Sequence, residues 1–174
     1  MLAIRPAAPG DVAAIDDLLL ASFPAPAEAR LIGDLCAEGD MVLLLVAAEE
    51  GSGQIAGVAA FSRMDVSVAD RSVPSVALAP VAVAGDHRRQ GVAEALVTAG
   101  MERLEAEGVV LCFVLGDPAF YTRFGFDPLC AKGFASPYAG DYLMATALQG
   151  GLMPCGVRGE ARHAAAFARL GQSA

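Results

Sequence analysis

The sequence lacks the features that would place the protein in or across a membrane. Its longest clean apolar run, Met41 to Ala48, has eight residues and is followed by two glutamates, far short of the ~20 that a spanning helix needs. The N-terminus, MLAIRPAAPGD, reaches an arginine after four residues and then proline and aspartate, so it has no apolar segment typical of a secretory signal. We therefore expect a cytoplasmic protein with no membrane partner.

Motifs for metal binding, redox chemistry and nucleophilic catalysis are also missing. The four cysteines are far apart and form no CxxC pair, which argues against a structural zinc site and a redox motif. They are Cys36, Cys112, Cys130 and Cys155. We expect Cys112, inside VVLCFVL, to be a buried and inert thiol. Neither of the two histidines has a serine or cysteine context that resembles a hydrolase triad.

Positive charge is scarce, since the formal net charge is −8. Nucleic acids and anionic membranes need a broad basic surface, so neither is expected as a partner. Against this background, His87, Arg88 and Arg89 form the main local cationic cluster. The 174 residues and 17.7 kDa suit one domain, 1–174, with a substantial core.

Hydrophobic periodicity predicts a mixed α/β layer of strands and helices. The predicted strands are Leu2–Arg5, Met41–Ala48, Ile55–Ser62, Val76–Ala84, Val109–Leu115 and Asp141–Leu148. The first predicted helix is capped by Asp11 and carries Val12, Ile15, Leu19 and Phe23 on one face. The next two are Ala27–Ala37 and Gln90–Glu107. We expect loop or irregular strand at Met64–Ser75, an interruption at Pro80, and a final strand or helix within Gly156–Phe167, with a strand favoured.

The segment DHRRQGVA, residues 86–93, joins a buried strand to the first turn of a helix. Up to four backbone N–H groups lack intrahelical partners there, and the helix dipole adds partial positive charge. Gly91 lets the backbone approach a ligand, and Arg88 or Arg89 can bind outlying oxygens. The segment thus suits a phosphate or pyrophosphate, although these eight residues alone fit a solvated loop equally well. It contains neither GxxxxGK[ST] nor GxGxxG, which disfavours a P-loop or dinucleotide fold.

A second motif follows the next strand. Gly116-Asp117-Pro118 predicts a strand exit, an N-cap and a first helical proline, and Gly125 predicts the end of about two helical turns. Phe120 and Phe124, four residues apart, are expected to pack inward, which turns Tyr121 toward a rim or cleft.

The segment from Val81 to Phe126 resembles the acetyl-coenzyme A core of the GNAT superfamily of N-acetyltransferases. Arg88, Gly91 and Ala93 match its signature of Gln or Arg, two residues, Gly, one residue, and Gly or Ala. The later FVLGDPAFYTRFGF is especially similar to the YhbS-like branch of predicted acetyltransferases. The resemblance implies a GNAT-type acyl-CoA N-acyltransferase fold, with a central twisted, mostly antiparallel sheet that is splayed at the cofactor site and flanked by helices.

The resemblance also implies a cofactor core at about 76–126 and acceptor-side elements at about 11–40 and 127–170. Acetyl-CoA would be the cosubstrate, without a metal, and Val81 and Val83 would bind its pantetheine arm through their backbone. The implied cofactor-binding residues are Val81, Ala82, Val83, Arg88, Arg89, Gln90, Gly91, Val92, Ala93, Glu94, Asp117 and Tyr121.

Family likeness further implies that Tyr121 is the catalytic residue, a general acid that protonates the departing coenzyme A thiolate. A phenol, with pKa near ~10, carries the proton at neutral pH. The segment SVALAPVAV offers no carboxylate as general base, which leaves a water relay or a carboxylate such as Glu28 or Asp117.

Sequence reasoning therefore favours an N-acetyltransferase acting on a primary amine of a small molecule or peptide. An acyl-CoA-binding sensor or interaction module without turnover is the alternative from another class, and generic nucleotide binding is a third. A homodimer is compatible with each of these three functions.

Overall fold

The computed structural model describes residues 1–170 and shows a mixed α/β chain. Its strands are β1 Leu2–Pro6, β2 Met41–Glu49, β3 Ile55–Val68, β4 Arg71–Ser72, β5 Ser75–Val83, β6 Leu111–Leu115, β7 Leu143–Ala147 and β8 Arg158–His163. Its α-helices are α1 Val12–Ser22, α2 Ala27–Ala37, α3 Val92–Ala106, α4 Pro118–Tyr121 and α5 Pro128–Ala131. Short 3₁₀ turns lie at Pro9–Asp11, Gly85–His87, Thr122–Phe124 and Ala165–Arg169.

The strands of the described residues form one eight-stranded mixed sheet. Its order is β1-β2-β3-β5-β6-β7, and β4 and β8 both pair with β3. The pairs β1–β2, β3–β4, β3–β8 and β6–β7 are antiparallel, whereas β5 and β6 are parallel. The mixed, helix-flanked sheet confirms the predicted fold class.

The chain divides into two compact units by its internal contacts. The first comprises Met1–Phe61, Pro80–Gly100 and the chain from Ala165, and the second comprises Ser62–Ala79 and Met101–Ala164. The single domain expected for 1–174 stays a prediction.

In the first unit, helices cover both faces of the strands. Alternate residues of β3, Val58 and Ala60, pack in a core with Leu19 of α1 and Ile32 of α2. The opposite face of β3 receives α3, because a Cβ at Gly57 would lie 2.9 Å from Val92 Cγ1.

Two glycines make this approach of α3 possible. Gly57 on β3 leaves room for Val92 and for Leu96, whose Cδ1 would be 3.0 Å from a Cβ at position 57. Gly100 of α3 lies against the ring of Phe61, where an added Cβ would come within 2.3 Å of ring carbons. Neither position tolerates a side chain without displacement. At each glycine, the backbone of one element therefore packs directly against side chains of the other.

The second unit has a core of aromatic and aliphatic side chains around β6 and β7. Phe113 and Phe126 are almost fully buried, and Phe113 meets Phe134 edge to face at 5.5 Å between centroids. The parallel ladder joins Ser75–Leu78 to Leu111–Val114 and ends there, two residues before Pro80.

Several local predictions needed correction. The helix at 12–22 buries Leu18 together with Ile15 and Leu19, whereas Val12, its first residue, is 57% exposed. Of the two possibilities expected for Met64–Ser75, loop or irregular strand, the structure favours the strand, since β3 continues to Val68 and pairs with β8 with a register shift between Val66 and Val68. The strand β5 runs through Pro80, as expected, and its ladder with β6 stops at Leu78, two residues before the proline. The helix α3 starts at Val92, two residues after the expected Gln90.

The Asp11 carboxylate does not cap α1 as expected. It accepts two hydrogen bonds from Arg5, at 2.7 and 3.0 Å, and one from the Ala8 N–H at 2.7 Å. These bonds favour the charged form and lower the pKa of Asp11 to about 2, with the Arg5 bonds as the largest cause. Asp11 therefore ties the start of α1 to β1.

Asp11→Asn should lower the free energy of unfolding by about 1 kcal/mol at pH 7, a modest loss because the Arg5 side chain remains partly solvated. Folding lowers the pKa of Asp11, so this stabilisation is complete above the unfolded-state value of about 3.9 and is lost as the pH falls toward 2. Urea unfolding between pH 7 and pH 3 checks this. Asp17→Asn, an exposed change on the same helix, is the control, and a pH-independent difference for Asp11→Asn would contradict the assignment.

Candidate active site

The loop between β5 and α3 presents backbone N–H groups at the start of a helix. The first helical hydrogen bond runs from the Ala95 N–H to the Gly91 carbonyl, at 3.0 Å. The N–H groups of Gly91, Val92 and Ala93 precede this bond and therefore have no intrahelical acceptor. An arrangement of this kind is suited to an anion, because the donors and the positive end of the helix dipole coincide.

The backbone of this loop is shaped by residues with positive φ. Arg89 has φ 61° and Gly91 has φ 77°, whereas Gln90 between them does not take a positive φ. Alternation of this kind turns successive N–H groups toward one concavity. A Cβ at Gly91 would meet only Glu94 Oε2, at 3.8 Å, so glycine is required there by backbone conformation and not by crowding.

The cationic cluster is partly engaged by the protein itself. His87 Nε2 lies 3.1 Å from Glu49 Oε1, so this histidine is directed toward the end of β2. Arg88 Nε donates to the Val83 carbonyl at 3.3 Å. Arg88 and Arg89 are both exposed. They directly precede the residues whose amides begin the helix.

The end of β5 leads directly into this loop. Ala82 is buried in the core of the first unit, at 6% exposure, while Val81 and Val83 are half-buried. The Ala84 N–H donates to the Ala56 carbonyl at 2.8 Å, which anchors the strand end to β3. The predicted residues from Val81 to Glu94 thus follow one another along a strand end, a loop and a helix start within the first unit.

Asp117 and Tyr121 belong to the second unit, in the turn after β6. The Asp117 carboxylate accepts from the Ala119 N–H at 2.9 Å, Pro118 is the first helical residue, and Gly125 ends the turn with φ 90°. These features confirm the cap, proline and glycine roles expected from the sequence. Each of them shortens and fixes the segment that carries Tyr121.

The Tyr121 ring is half-buried among other aromatic rings. It meets Phe120 edge to face at 4.9 Å and Phe126 at 5.9 Å between centroids. Burial raises the pKa of Tyr121 above its ordinary value, so the phenol stays protonated at neutral pH. Within residues 1–170, its hydroxyl forms no hydrogen bond with another group. Tyr121 is therefore an uncharged proton donor whose ring is held by neighbouring aromatic rings.

The side chains next to Tyr121 are less buried than expected. Phe120 and Phe124 are half-buried and pack against each other at 5.5 Å. The Arg123 guanidinium lies 4.7 Å from the Phe120 ring centroid, a cation–π geometry.

The two carboxylates considered as bases lie in different settings. Asp117 is occupied by its helix cap, and Glu28 is half-buried in the first turn of α2.

The sequence analysis gave no role to His163, yet burial lowers its pKa to about 4 and its ring meets Tyr138 edge to face at 4.9 Å. Its burial is a product of tertiary packing, in which its ring contacts a residue 25 positions earlier, and no local pattern signals this.

The described part of the chain shows no group of three or more histidine, cysteine, aspartate or glutamate side chains placed to hold a metal ion. Cys112 is fully buried, and burial raises the pKa of its thiol, as expected for an inert cysteine. Over residues 1–170, every helix is too short or too polar to cross a bilayer.

Comparison with known proteins agrees with these features. A family model described as an acetyltransferase (GNAT) domain matches residues 3–129. The Escherichia coli K12 protein named as the uncharacterized N-acetyltransferase YhbS is 44% identical over 124 residues, which cover 71% of this chain and 72% of that protein.

Solved structures extend the match to nearly the whole chain. The structure of Escherichia coli YhbS in complex with CoA superposes with a TM-score of 0.87 at 35% identity, covering 97% of this chain and 92% of that one. A GNAT family acetyltransferase from Brucella melitensis in complex with acetyl-CoA gives a TM-score of 0.77 at 27% identity, with coverages of 96% and 98%. The chain belongs to the GNAT family of N-acetyltransferases.

Proposed function

We propose that this protein transfers the acetyl group of acetyl-CoA to a primary amine of a small molecule or peptide. The observation that carries the proposal is the start of α3, where the amides of Gly91, Val92 and Ala93 lie beside Arg88 and Arg89. Its support comes from relatives of the same family whose structures contain CoA or acetyl-CoA.

The proposed cofactor contacts follow from the chemistry of this loop. Backbone N–H groups from Gln90 to Glu94 donate to the pyrophosphate, and the helix dipole adds to the attraction. Arg88 and Arg89 contribute charge-assisted hydrogen bonds to phosphate oxygens. The backbone of Val81, Ala82 and Val83 is proposed to bind the pantetheine arm, and Asp117 contributes by fixing the turn that carries Tyr121.

The proposed reaction is a direct transfer. The neutral amine attacks the thioester carbonyl, a C–N bond forms, the C–S bond breaks and the sulfur leaves as a thiolate. Tyr121 donates its hydroxyl proton to that thiolate and regains a proton from solvent, and the amine loses its proton to water or to a nearby carboxylate. Placing the two reactants together contributes to the acceleration in such a mechanism, and a positioned acid adds about 10²–10⁴-fold.

Release of free thiol separates an enzyme from a module that only binds acyl-CoA. The protein is incubated with acetyl-CoA and a panel of small amines and peptide N-termini, and free thiol is followed with a thiol reagent. We expect amine-dependent release with at least one member of the panel. Tight acetyl-CoA binding without release above the protein-free rate would favour the binding module, and binding of ATP in competition with CoA would favour a nucleotide site.

Gly91→Glu should abolish acetyl-CoA binding, which we expect in the micromolar range for the unchanged protein. The new carboxylate would occupy the anion site and lie near Glu94. Calorimetry with acetyl-CoA measures the effect. Gly108→Glu is the matched control, because Gly108 has a similar φ of 88° with nothing within 4 Å of an added Cβ. Normal binding by Gly91→Glu would show that the loop is not the phosphate site.

Tyr121→Phe should lower kcat by about 10²–10⁴-fold and leave the affinity for acetyl-CoA nearly unchanged, because the ring packing is kept and only the proton donor is lost. Since burial raises the pKa of Tyr121, the unchanged enzyme should keep its acid form beyond the ordinary phenol value of about 10. Steady-state kinetics from pH 7 upward checks both points. Equal rates for the two proteins would remove the acid role.

A further inference from the structure

Gly116 joins β6 to the Asp117 cap and is not required to be glycine by its backbone. Its N–H donates to the Tyr142 carbonyl at 3.0 Å. Its φ lies outside the left-handed region that Gly91 and Gly125 occupy, so its φ does not by itself call for a glycine. The reason for a glycine at this position must therefore lie in what surrounds it.

The ring of Tyr121 fills the space that a side chain at position 116 would take. An added Cβ would lie 2.6 Å from Tyr121 Cε2, 3.1 Å from Cδ2 and 3.6 Å from Cζ. The shortest of these distances is well below van der Waals contact between carbon atoms. Any residue larger than glycine would have to displace either the backbone or the ring.

The ring has little freedom to yield. Phe120 and Phe126 meet it edge to face at 4.9 and 5.9 Å. The Tyr121 N–H is bonded to the Asp117 carbonyl at 3.1 Å, and Asp117 itself caps the turn. The backbone of Gly116 thus lies against one part of a half-buried ring whose other contacts are with Phe120 and Phe126.

We propose that Gly116 is a positioning residue that sets the place of the Tyr121 hydroxyl. The inference rests on the proposed function, in which that hydroxyl is the acid. The hydroxyl lies at the far end of the ring, so a push against Cε2 and Cδ2 also moves the oxygen. A misplacement of about 1 Å can cost on the order of 10²-fold in rate.

Gly116→Ala is the direct test. We expect kcat to fall by about 10–100-fold while the affinity for acetyl-CoA changes by less than about 3-fold, since the α3 loop is untouched. Gly10→Ala is the matched control, because Gly10 also lacks a left-handed φ and has nothing within 4 Å of an added Cβ. It should leave kcat unchanged. A Gly116→Ala enzyme with full kcat would overturn the inference.

A double-mutant cycle with Tyr121→Phe separates positioning from a general structural role. Phenylalanine keeps the ring carbons that collide with a Cβ at position 116 but has no hydroxyl to misplace. Gly116→Ala should therefore cause no further loss of kcat in the Tyr121→Phe background. An equal loss in both backgrounds would show that Gly116 acts on the fold in general.

Thermal unfolding covers the case in which Gly116→Ala does not fold. In a Tyr121→Ala background the added Cβ meets no ring, so Gly116→Ala should then lower the Tm much less than it does beside Tyr121. An equal decrease would mean that the ring contact is not the cause, and would overturn the inference. Absence of thiol release by the unchanged protein would instead remove the proposed function, and this stability cycle would still test the contact.

Discussion

The close packing of α3 on β3 is the constraint on which the candidate cofactor loop depends. Gly57 and Gly100 let the helix approach until Val92, Leu96 and Phe61 fill the gap. Val92 is the first residue of α3, so this contact lies immediately beside the loop. A helix start fixed in this way keeps its amides directed at one place, and they can bind an anion without being ordered first.

Glycine serves two separate physical purposes in this protein. At Gly91 and Gly125 it permits a left-handed backbone, with φ of 77° and 90°. At Gly57, Gly100 and Gly116 it leaves space for a neighbouring side chain. The turn after β6 combines both uses, in Gly125 and Gly116. At the start of α3, the left-handed Gly91 precedes Val92, the residue for which Gly57 of β3 leaves space.

The proposed binding by amides would let an acidic chain hold an anionic carrier. The protein has a formal net charge of −8, and Glu49 engages His87 beside the loop. Main-chain donors carry no net charge and a helix dipole acts over a short range, so a local anion site needs only a few arginines around it. The Tyr121 phenol likewise needs no charged partner, because burial alone favours its neutral form.

The sequence by itself determined the elements and turns that depend on local chemistry. Ala27–Ala37 is a helix with the expected limits, and the Asp117 cap, the Pro118 start and the Gly125 stop are all present. Hydrogen bonds between near neighbours and the conformational limits of proline and glycine act within a few residues, so a local pattern is enough. Only the tertiary structure decided that β3 continues to Val68, that Asp11 binds Arg5, and that Gly116 lies under the ring of Tyr121. These features depend on atoms brought together by folding, whose separations the order of residues alone does not specify.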